Sequence, residues 1–324
     1  METQMLNRLH GYKLRLWQAL LQSAGLEPDL EMDTTVLIWE GEQLVAAGSR
    51  KGDLLKCIAV DEQFQGLGLT ATVLTQLRQD AFAAGFDHLF LYTKPKNLLQ
   101  FQSLFFYPVA QTQDVLLMEN KPDGIGAFLR TLPVAEPADK VGTLVMNCNP
   151  FTLGHRYLIE TAARECDRVY VFVLSQEQPP FPAEARLQLV KDGCRDLPNV
   201  TVLPTGPYLI SAATFPTYFL KDREQATAVQ CHLDMAIFCK YFIPKFRITH
   251  RYVGTEPHSP MTALYNAALK ENLPIPVREI PRLEADGQAI SASRVRTLWQ
   301  EGKLEDAKHL IPATTYAYLQ QFEK

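Results

Sequence analysis

The sequence of 324 residues lacks the features that define several large classes of protein. Its six cysteines include no C-x-x-C pair, so we expect reduced thiols rather than a zinc site or a disulfide framework. No stretch approaches the roughly 18 apolar residues of a membrane-spanning helix. A net charge of −4 provides no basic excess for binding nucleic acid or an anionic membrane.

Two targeting and binding motifs are also missing. The N-terminal segment METQMLNRLHGYKLRLWQALLQ has no uninterrupted apolar stretch, which argues against a signal peptide and, with reduced thiols, predicts a cytoplasmic protein. The sequence G-x-x-x-x-G-K-S/T does not occur, so a P-loop is excluded. What is present is a hydrophobic fraction of 47%, which is ample for the cores of two domains.

A segment without periodicity, residues 129–139, is predicted to link two domains because it contains two prolines and two acidic residues. Residues 1–128 predict a mixed α+β domain that includes a hairpin. In residues 140–324, continuous apolar strands alternate with helices. That alternation predicts a parallel, doubly wound α/β sheet of the Rossmann-like type.

In the first domain, the sequence VDEQFQGLGLTATVL places glycines between a predicted strand and a predicted helix. Glycine lets a phosphate approach the amides of a helix N-terminus, so Gln63, Gly66 and Gly68 are candidate binding residues. A dinucleotide-binding fingerprint would need an acid after the next strand, where this chain has Lys94 and Lys96. A simple turn between strand and helix is the alternative.

Followed by Asn97 and an aromatic-rich helix predicted near 97–106, this pattern resembles the GNAT N-acetyltransferase family over about residues 30–118. The resemblance implies a GNAT-like fold in which the glycine-loop amides bind a pyrophosphate of coenzyme A. This chain has Phe105 where that family usually has glycine.

In the second domain, NCNPFTLGHRYLIE connects an apolar strand to a helix. A helix N-terminus favours an anion, through its unpaired amides and its dipole. We expect Gly154 to let a ligand approach the backbone and His155 to supply charge. The alternative is a helix capped by Thr152 that carries a surface histidine.

A second helix start lies in AISASRVRTLWQ, with Ser291 as the expected N-cap and Ser293 in the first turn. Arg294 and Arg296 lie beside it, so hydroxyl and guanidinium groups gather where an anion would bind. Alone, this pattern also fits a capped helix with solvated arginines. Two such helix starts in one alternating strand and helix domain favour a nucleotide site.

Together the two segments resemble the (H/T)-x-G-H and I-S-x-S-x-x-R motifs of the nucleotidylyltransferase superfamily. The resemblance implies that His155 contacts the phosphates of ATP. It also implies that Ser293 and Arg296 stabilise pyrophosphate as it leaves. The side-chain amides of Asn147 and Asn149 are expected to reach the region of the α-phosphate.

Several other residues are weaker candidates. Arg186, in FPAEARLQLV, resembles a substrate-side position of small adenylyltransferases, and ligand contact or helix surface fits it equally. Glu256 is expected to touch the nucleotide or to cap a turn, and Cys148 to be a packing residue. Two alternatives, an acetate or adenylate pocket and an ordered aromatic loop, fit residues in GPYLISAATFPTYF, namely Ser211, Thr214 and Tyr218.

The stretches GTLVMNCNPFTLGHRYLIE, GPYLISAATFPTYFLKD, RYVGTEPHSPMTALYN and ISASRVR resemble the citrate lyase ligase family, over nearly the whole chain. The resemblance implies an enzyme that uses ATP, with Mg²⁺ on its phosphates, and acetate. It would form acetyl-AMP and acetylate the thiol of a phosphopantetheine-type group on the acyl carrier subunit of citrate lyase. AMP and pyrophosphate are released, and we expect the first domain to bind the pantetheine arm or coenzyme A.

Three other functions remain open from the residues. The chain could transfer AMP to a phosphorylated cofactor such as phosphopantetheine, which would give a dinucleotide and no response to acetate. It could be a CoA-dependent acetyltransferase fused to an inactive nucleotide domain. It could also bind a carrier protein without catalysis.

Overall fold

The computed structural model describes residues 1–209, 215–220, 226–256 and 260–322. The chain divides into two compact units, which are Met1–Ala127 with Thr214–Ala236, and Phe128–Ala213 with Ile237–Lys324.

The first segment of the first unit ends at Ala127. The sequence predicted that the N-terminal domain ends one residue later, at residue 128. The segment Thr214–Ala236 also belongs to the first unit, although we expected it in the second domain. Aromatic packing explains this: Phe215 and Phe219 lie on Tyr92, with ring centroids 5.7 and 6.4 Å away. The domain bounds drawn from the sequence otherwise stay a prediction.

The strands are β1 (Glu2–Leu6), β2 (Thr34–Glu40), β3 (Gln43–Lys51), β4 (Leu54–Val60), β5 (Phe90–Thr93), β6 (Tyr107–Gln111), β7 (Leu116–Glu119), β8 (Val141–Met146), β9 (Arg168–Val173), β10 (Val200–Pro204), β11 (His250–Gly254), β12 (Val277–Ile280), β13 (Glu284–Ala285) and β14 (Gln288–Ala289). The helices are α1 (Gly11–Ser23), α2 (Leu69–Ala83), α3 (Leu98–Gln102), α4 (Gly124–Thr131), α5 (Leu153–Glu165), α6 (Ala183–Gly193), α7 (Ala226–Ile237), α8 (Ile243–Phe246), α9 (Pro260–Asn272), α10 (Ala292–Gln300), α11 (Leu304–Ala307) and α12 (Ala313–Gln320). Among these residues, no helix is long and apolar enough to cross a membrane.

The first unit contains a mixed sheet of seven strands, in the order β1-β2-β3-β4-β5-β7-β6. The strands β4 and β5 run parallel, whereas the other neighbours run antiparallel. Helix α2 packs on this sheet because Val73, Leu77 and Ala81 lie on one helical face and are fully buried.

The parallel strands β4 and β5 pair at only two positions, Leu54 with Phe90 and Leu55 with Leu91, so they separate soon after they begin. Beyond these pairs, the register of β4 against β3 is irregular, and Cys57 has φ 53°. An irregularity of this kind bends a strand, so β4 turns away from β5. The separated ends border the cavity described below.

All five strands of the second unit's main sheet are parallel, in the order β10-β9-β8-β11-β12. One face of β9, including Val169 and Val171, is buried in the same core as α5 and α6. On the other face, Tyr170 and Phe172 pack against Phe246, with ring centroids 4.8 and 5.1 Å apart. The predicted fold class, an α+β part followed by a doubly wound parallel sheet, is confirmed.

The helix predicted near 97–106 is wrong in its second half, because α3 ends at Gln102. Phe105 has φ 62°, a conformation in which glycine is the ordinary residue. Its side chain is 65% exposed, whereas Phe106 is fully buried. The chain turns at Phe105 so that Phe106 enters the core.

Candidate functional site

Helix α5 begins at the carboxyl end of β8, and its first turn is closed by a reciprocal cap. The Oγ1 of Thr152 accepts a hydrogen bond from the His155 amide at 3.3 Å. In return, Nδ1 of His155 accepts one from the Thr152 amide at 3.1 Å. This is the arrangement of a capping box, with histidine in the place of the usual Glu or Gln.

The imidazole of His155 is neutral near pH 7. Burial and the nearby Arg282 cation lower its pKa to about 4. Because Nδ1 accepts a hydrogen bond, the ring proton is on Nε2, which can donate to a ligand. In this state His155 offers a neutral donor, and its expected contact with the phosphates stays a prediction.

At the second helix start, the Oγ of Ser291 accepts a hydrogen bond from the Arg294 amide, as expected for an N-cap. Arg296 donates to the Oγ of Ser293 at 3.0 Å and to the carbonyl oxygen of Asn149 at 2.5 Å. It thereby ties α10 to the loop before α5. Arg294 points elsewhere, because it pairs with an aspartate of the β13–β14 turn.

Close packing at Gly154 brings the two helix starts together. A Cβ atom at this position would lie 3.1 Å from the carbonyl oxygen of Ile290, the residue before the N-cap of α10. We expected Gly154 to let a ligand approach, but the group that approaches is the backbone of Ile290. The N-termini of α5 and α10 are adjacent for this reason.

The amides of Asn147 and Asn149 are already engaged with protein. Asn149 donates from Nδ2 to the carbonyl oxygen of Pro179 at 3.1 Å, and Asn147 donates to Gln178 Oε1 at 2.7 Å. Asn149 donates to two carbonyl oxygens, whereas Asn147 uses one of the two N–H groups of its amide, so the expected contact with an α-phosphate stays a prediction. The Oδ1 of Asn149, an acceptor, is buried without a partner among the described residues.

Arg186 is fully buried, so it is not a helix-surface residue. It donates to the backbone oxygen of Asn147 at 2.9 Å, to its side-chain oxygen and to the carbonyl oxygen of Gln176. Arg186 thus holds the ends of the loops that follow β8 and β9, and a direct ligand contact stays a prediction.

The thiol of Cys148 is unsuited to nucleophilic catalysis. The side chain is fully buried, and its burial raises the pKa of the thiol far above the ordinary value. Packing is the role that this position supports, as expected. All six cysteines are free thiols.

In the first unit, a cavity of about 1070 Å³ lies against β4, β5 and the start of α2. Gln63, Gly66 and Gly68 line it, as do residues 69–71 of the first helical turn. Gly66 and Gly68 have φ 81° and 74°, and Gly68, as N-cap, supplies no side chain to the first-turn amides. The loop can therefore present backbone N–H groups to an anion.

Tyr218 also lines this cavity, and its hydroxyl donates to the Tyr92 carbonyl oxygen at 2.6 Å. Of the two alternatives for Tyr218, a pocket of the nucleotide domain is wrong because Tyr218 belongs to the first unit, and packing among aromatic residues agrees with its contact with Phe219. Ser211 and Thr214 lie outside the described residues.

The comparisons with known proteins agree on one family. Residues 141–319 match the model of the citrate lyase ligase C-terminal domain. Over 307 residues, the chain is 41% identical to the citrate (pro-3S)-lyase ligase of Klebsiella pneumoniae, which covers 91% of this chain and 89% of that protein. The chain belongs to the citrate lyase ligase family.

Solved structures align with each part of this citrate lyase ligase family member. An acyl-CoA N-acyltransferase from Pseudomonas aeruginosa covers 37% of this chain and 100% of its own, with 13% identity and a TM-score of 0.33. A bifunctional NMN adenylyltransferase/ADP ribose pyrophosphatase from Francisella tularensis covers 56% of this chain and 49% of its own, with 16% identity and a TM-score of 0.38.

One charged pair of the site was not predicted from the sequence. Arg282, just after β12, pairs with Glu256 and donates to the carbonyl oxygen of Thr255 at 2.7 Å. We expected Glu256 to touch a nucleotide or cap a turn, but it holds Arg282. The strand before Arg282, β12, is short and mixes charged with apolar residues (VREI), so its sequence does not predict a strand, and nothing local marks Arg282 as a site residue.

Among the described residues, no group of three or more His, Cys, Asp or Glu side chains could hold a metal ion. We therefore assign no protein ligand to Mg²⁺.

Proposed function

We propose that this member of the citrate lyase ligase family is an AMP-forming acid–thiol ligase. It would activate acetate with ATP as acetyl-AMP, and then acetylate the prosthetic-group thiol of the citrate lyase acyl carrier subunit. The name of the Klebsiella relative, a ligase of citrate lyase, supports this substrate. A cytoplasmic location would suit it.

The observation that carries the proposal is the joining of two helix N-termini at the sheet's switch point. The strand order reverses between β8 and β11, and open parallel sheets bind ligands outside the carboxyl ends of strands at such a point. Arg296 links α10 to the loop before α5 there. Two positive helix ends, a guanidinium and a neutral imidazole donor form a suitable site for the phosphates of ATP.

In the first step, an acetate oxygen would attack the α-phosphorus, and the bond to the β-phosphate would break as pyrophosphate leaves with the electron pair. Acetate is ionised at neutral pH, since carboxyl pKa values are about 4. The step therefore needs no general base. The Nε2–H of His155, the hydroxyl of Ser293 and the guanidinium of Arg296 would stabilise charge on the phosphate oxygens.

In the second step, the carrier thiolate would attack the acetyl carbonyl and AMP would leave. A free thiol has a pKa of about 8.5, so only a small fraction of it is ionised at neutral pH. We assign no residue as its base. Thr152, Gly154 and Ser291 would act through the backbone geometry of the two helix starts, and Asn147, Asn149 and Arg186 would hold the loop before α5.

We also propose that the cavity of the first unit binds the pantetheine arm of the carrier. Its volume, its glycine loop and the uncapped start of α2 support a long ligand that ends in a phosphate. Coenzyme A shares this chemistry and would compete for the same residues, Gln63, Gly66 and Gly68.

Exchange of labelled pyrophosphate into ATP tests the first step. We expect exchange that depends on acetate, and none when acetate is omitted. ATP binding without acetate-dependent exchange would refute the ligase. An adenylyltransferase of phosphopantetheine would instead form a dinucleotide with no response to acetate.

A further inference from the structure

The arginines around the second unit's candidate site differ in which of their guanidinium nitrogens already donate hydrogen bonds to the protein. Arg186 is fully buried and donates to backbone carbonyl groups. Arg296 donates once from each terminal nitrogen, to Asn149 and to Ser293, so each of these nitrogens keeps one further N–H. Arg294 uses both terminal nitrogens on the β13–β14 hairpin. Arg282 uses Nε and NH2, and within the described part of the chain its NH1 group makes no hydrogen bond.

The position of Arg282 is fixed from several sides. Its backbone amide donates to Thr255 Oγ1 at 3.2 Å, and its Nε donates to the Thr255 carbonyl oxygen at 2.7 Å. The Thr255 amide in turn donates to the Ile280 carbonyl oxygen at 2.9 Å. Glu256 pairs with NH2, and its own side chain is only 9% exposed. A side chain held this way keeps its guanidinium in one place.

That place is at the carboxyl edge of the parallel sheet. Thr255 directly follows β11, and Arg282 comes two residues after the end of β12. Strand β11 is the neighbour of β8, whose end leads into the loop before α5. Leu283, the residue after Arg282, accepts a hydrogen bond from the Ile290 amide at 2.9 Å, which places this loop beside the start of α10. The lowering of the His155 pKa by the charge of Arg282 agrees with that placement.

We infer that Arg282 binds the β- and γ-phosphates of the nucleotide through its NH1 group, and that Glu256 holds it in position. This inference rests on the proposed use of ATP. The Arg282 side chain is 28% exposed, so a ligand can reach it. A guanidinium that is already oriented loses little conformational freedom when it binds a phosphate, which makes such an arginine an effective phosphate ligand.

Arg282 lies outside the two segments that resemble the motifs of the nucleotidylyltransferase superfamily. It enters the site from the loop after β12, whereas His155 and Arg296 come from the starts of α5 and α10. A polyphosphate bound at the two helix starts would thereby also contact Arg282, in the loop that follows the edge strand β12. The contact would stabilise pyrophosphate as it leaves, because negative charge grows on those oxygens.

Binding of two nucleotides to an Arg282→Gln variant tests the inference independently of catalysis. By calorimetry, we expect affinity for α,β-methylene-ATP to fall about 10- to 100-fold, the usual effect of losing a hydrogen bond between charged groups. Affinity for AMP should change by less than about twofold, because AMP lacks the β- and γ-phosphates. Arg278→Gln is the matched control, since Arg278 lies on β12 with 62% of its side chain exposed, and it should alter neither affinity.

The outcomes separate the possible roles. Equal weakening of both nucleotides would mean that Arg282 only supports the local structure, and no weakening would remove it from the site. A higher KM for acetate with unchanged nucleotide affinity would assign it to the carboxylate instead. If the wild type binds the ATP analogue but shows no acetate-dependent exchange, the proposed ligase reaction fails while this inference is still judged by binding.

Two further measurements guard against a variant that folds poorly. Arg282→Lys keeps the cation but loses the planar fork, so its affinity for the ATP analogue should lie between those of the wild type and Arg282→Gln. Nuclear magnetic resonance should show the His155 pKa above about 4 in Arg282→Gln, because a nearby cation is removed. An unchanged His155 pKa in a folded variant would show that the two side chains do not interact, and would overturn the inference.

Discussion

Replacing His155 with glutamine separates its structural role from its chemical role. His155 completes the cap of α5 by accepting the Thr152 amide, and glutamine is an ordinary residue at that position of a capping box. Glutamine is also neutral and carries an N–H donor, but it cannot titrate. Alanine at the same position lacks both the acceptor and the donor, so it is the reference variant.

The expected effect on stability depends on pH. In the folded protein the pKa of His155 is about 4, against an ordinary 6.5. The unfolded chain therefore takes up a proton first, so stability falls as pH drops from about 6.5 towards 4. Between pH 7 and pH 5 this histidine costs the wild type about 2 kcal/mol of unfolding free energy. The glutamine variant should not show that loss.

At pH 7 the variants should differ in a second way. His155→Ala should lose about 1 kcal/mol of stability with the hydrogen bond of the cap, whereas His155→Gln should stay near the wild type. For pyrophosphate exchange, removal of a donor to developing negative charge typically costs about 10²- to 10³-fold, which we expect for alanine. Glutamine should retain more exchange than alanine because it keeps a neutral donor.

Urea unfolding of the three proteins at pH 5 and pH 7, together with exchange rates from pH 6 to pH 8, provides the assay. The wild type should lose about 2 kcal/mol more than His155→Gln between the two pH values. The reasoning would be refuted if both proteins lost the same amount. It would also be refuted if wild-type exchange rose towards pH 6 through a group that disappears in His155→Gln, because the active form would then be the cation.

Three other variants test the geometry. Gly154→Ala should destabilise the protein by about 1–3 kcal/mol in urea unfolding and lower exchange, because its Cβ would lie 3.1 Å from the carbonyl oxygen of Ile290; wild-type values for both would mean that the two helix starts tolerate separation. Phe105→Gly should raise the unfolding free energy by about 0.5–1 kcal/mol, and with it the urea midpoint, since the φ of Phe105 is 62° and its side chain is exposed. A lower midpoint would show that the backbone at Phe105 is not strained. Valine at Gly66 and Gly68 together, where φ is 81° and 74°, should slow thiol acetylation of the carrier but spare pyrophosphate exchange; equal loss of both would make the first unit purely structural.

The strands and helix starts of the site followed from local sequence. The run VGTLVM is continuous and apolar, so it forms a strand buried on both faces, and Thr152 and Ser291 cap the helices that we expected. These features depend on neighbours within a few residues, which is why local pattern is enough to predict them. The same holds for the glycine loop before α2.

The structure corrected the predictions wherever a side chain meets a distant segment. Arg296 reaches the Asn149 carbonyl oxygen across 147 positions of sequence, and Asn149 itself donates to a loop 30 positions away. The segment that begins near Phe215 joins the first unit through contacts with Tyr92. No local pattern contains these pairings, because each partner comes from a separate strand or loop.

The sequence by itself therefore determined which backbone elements could present amides and hydroxyls to a phosphate. The tertiary structure decided which side-chain atoms remain available there. The Asn149 amide donates to a neighbouring loop and Arg186 is fully buried, whereas the Arg282 side chain is 28% exposed and its NH1 makes no hydrogen bond among the described residues. It also decided the charge of His155, because burial and a nearby cation act on its pKa through space rather than along the chain.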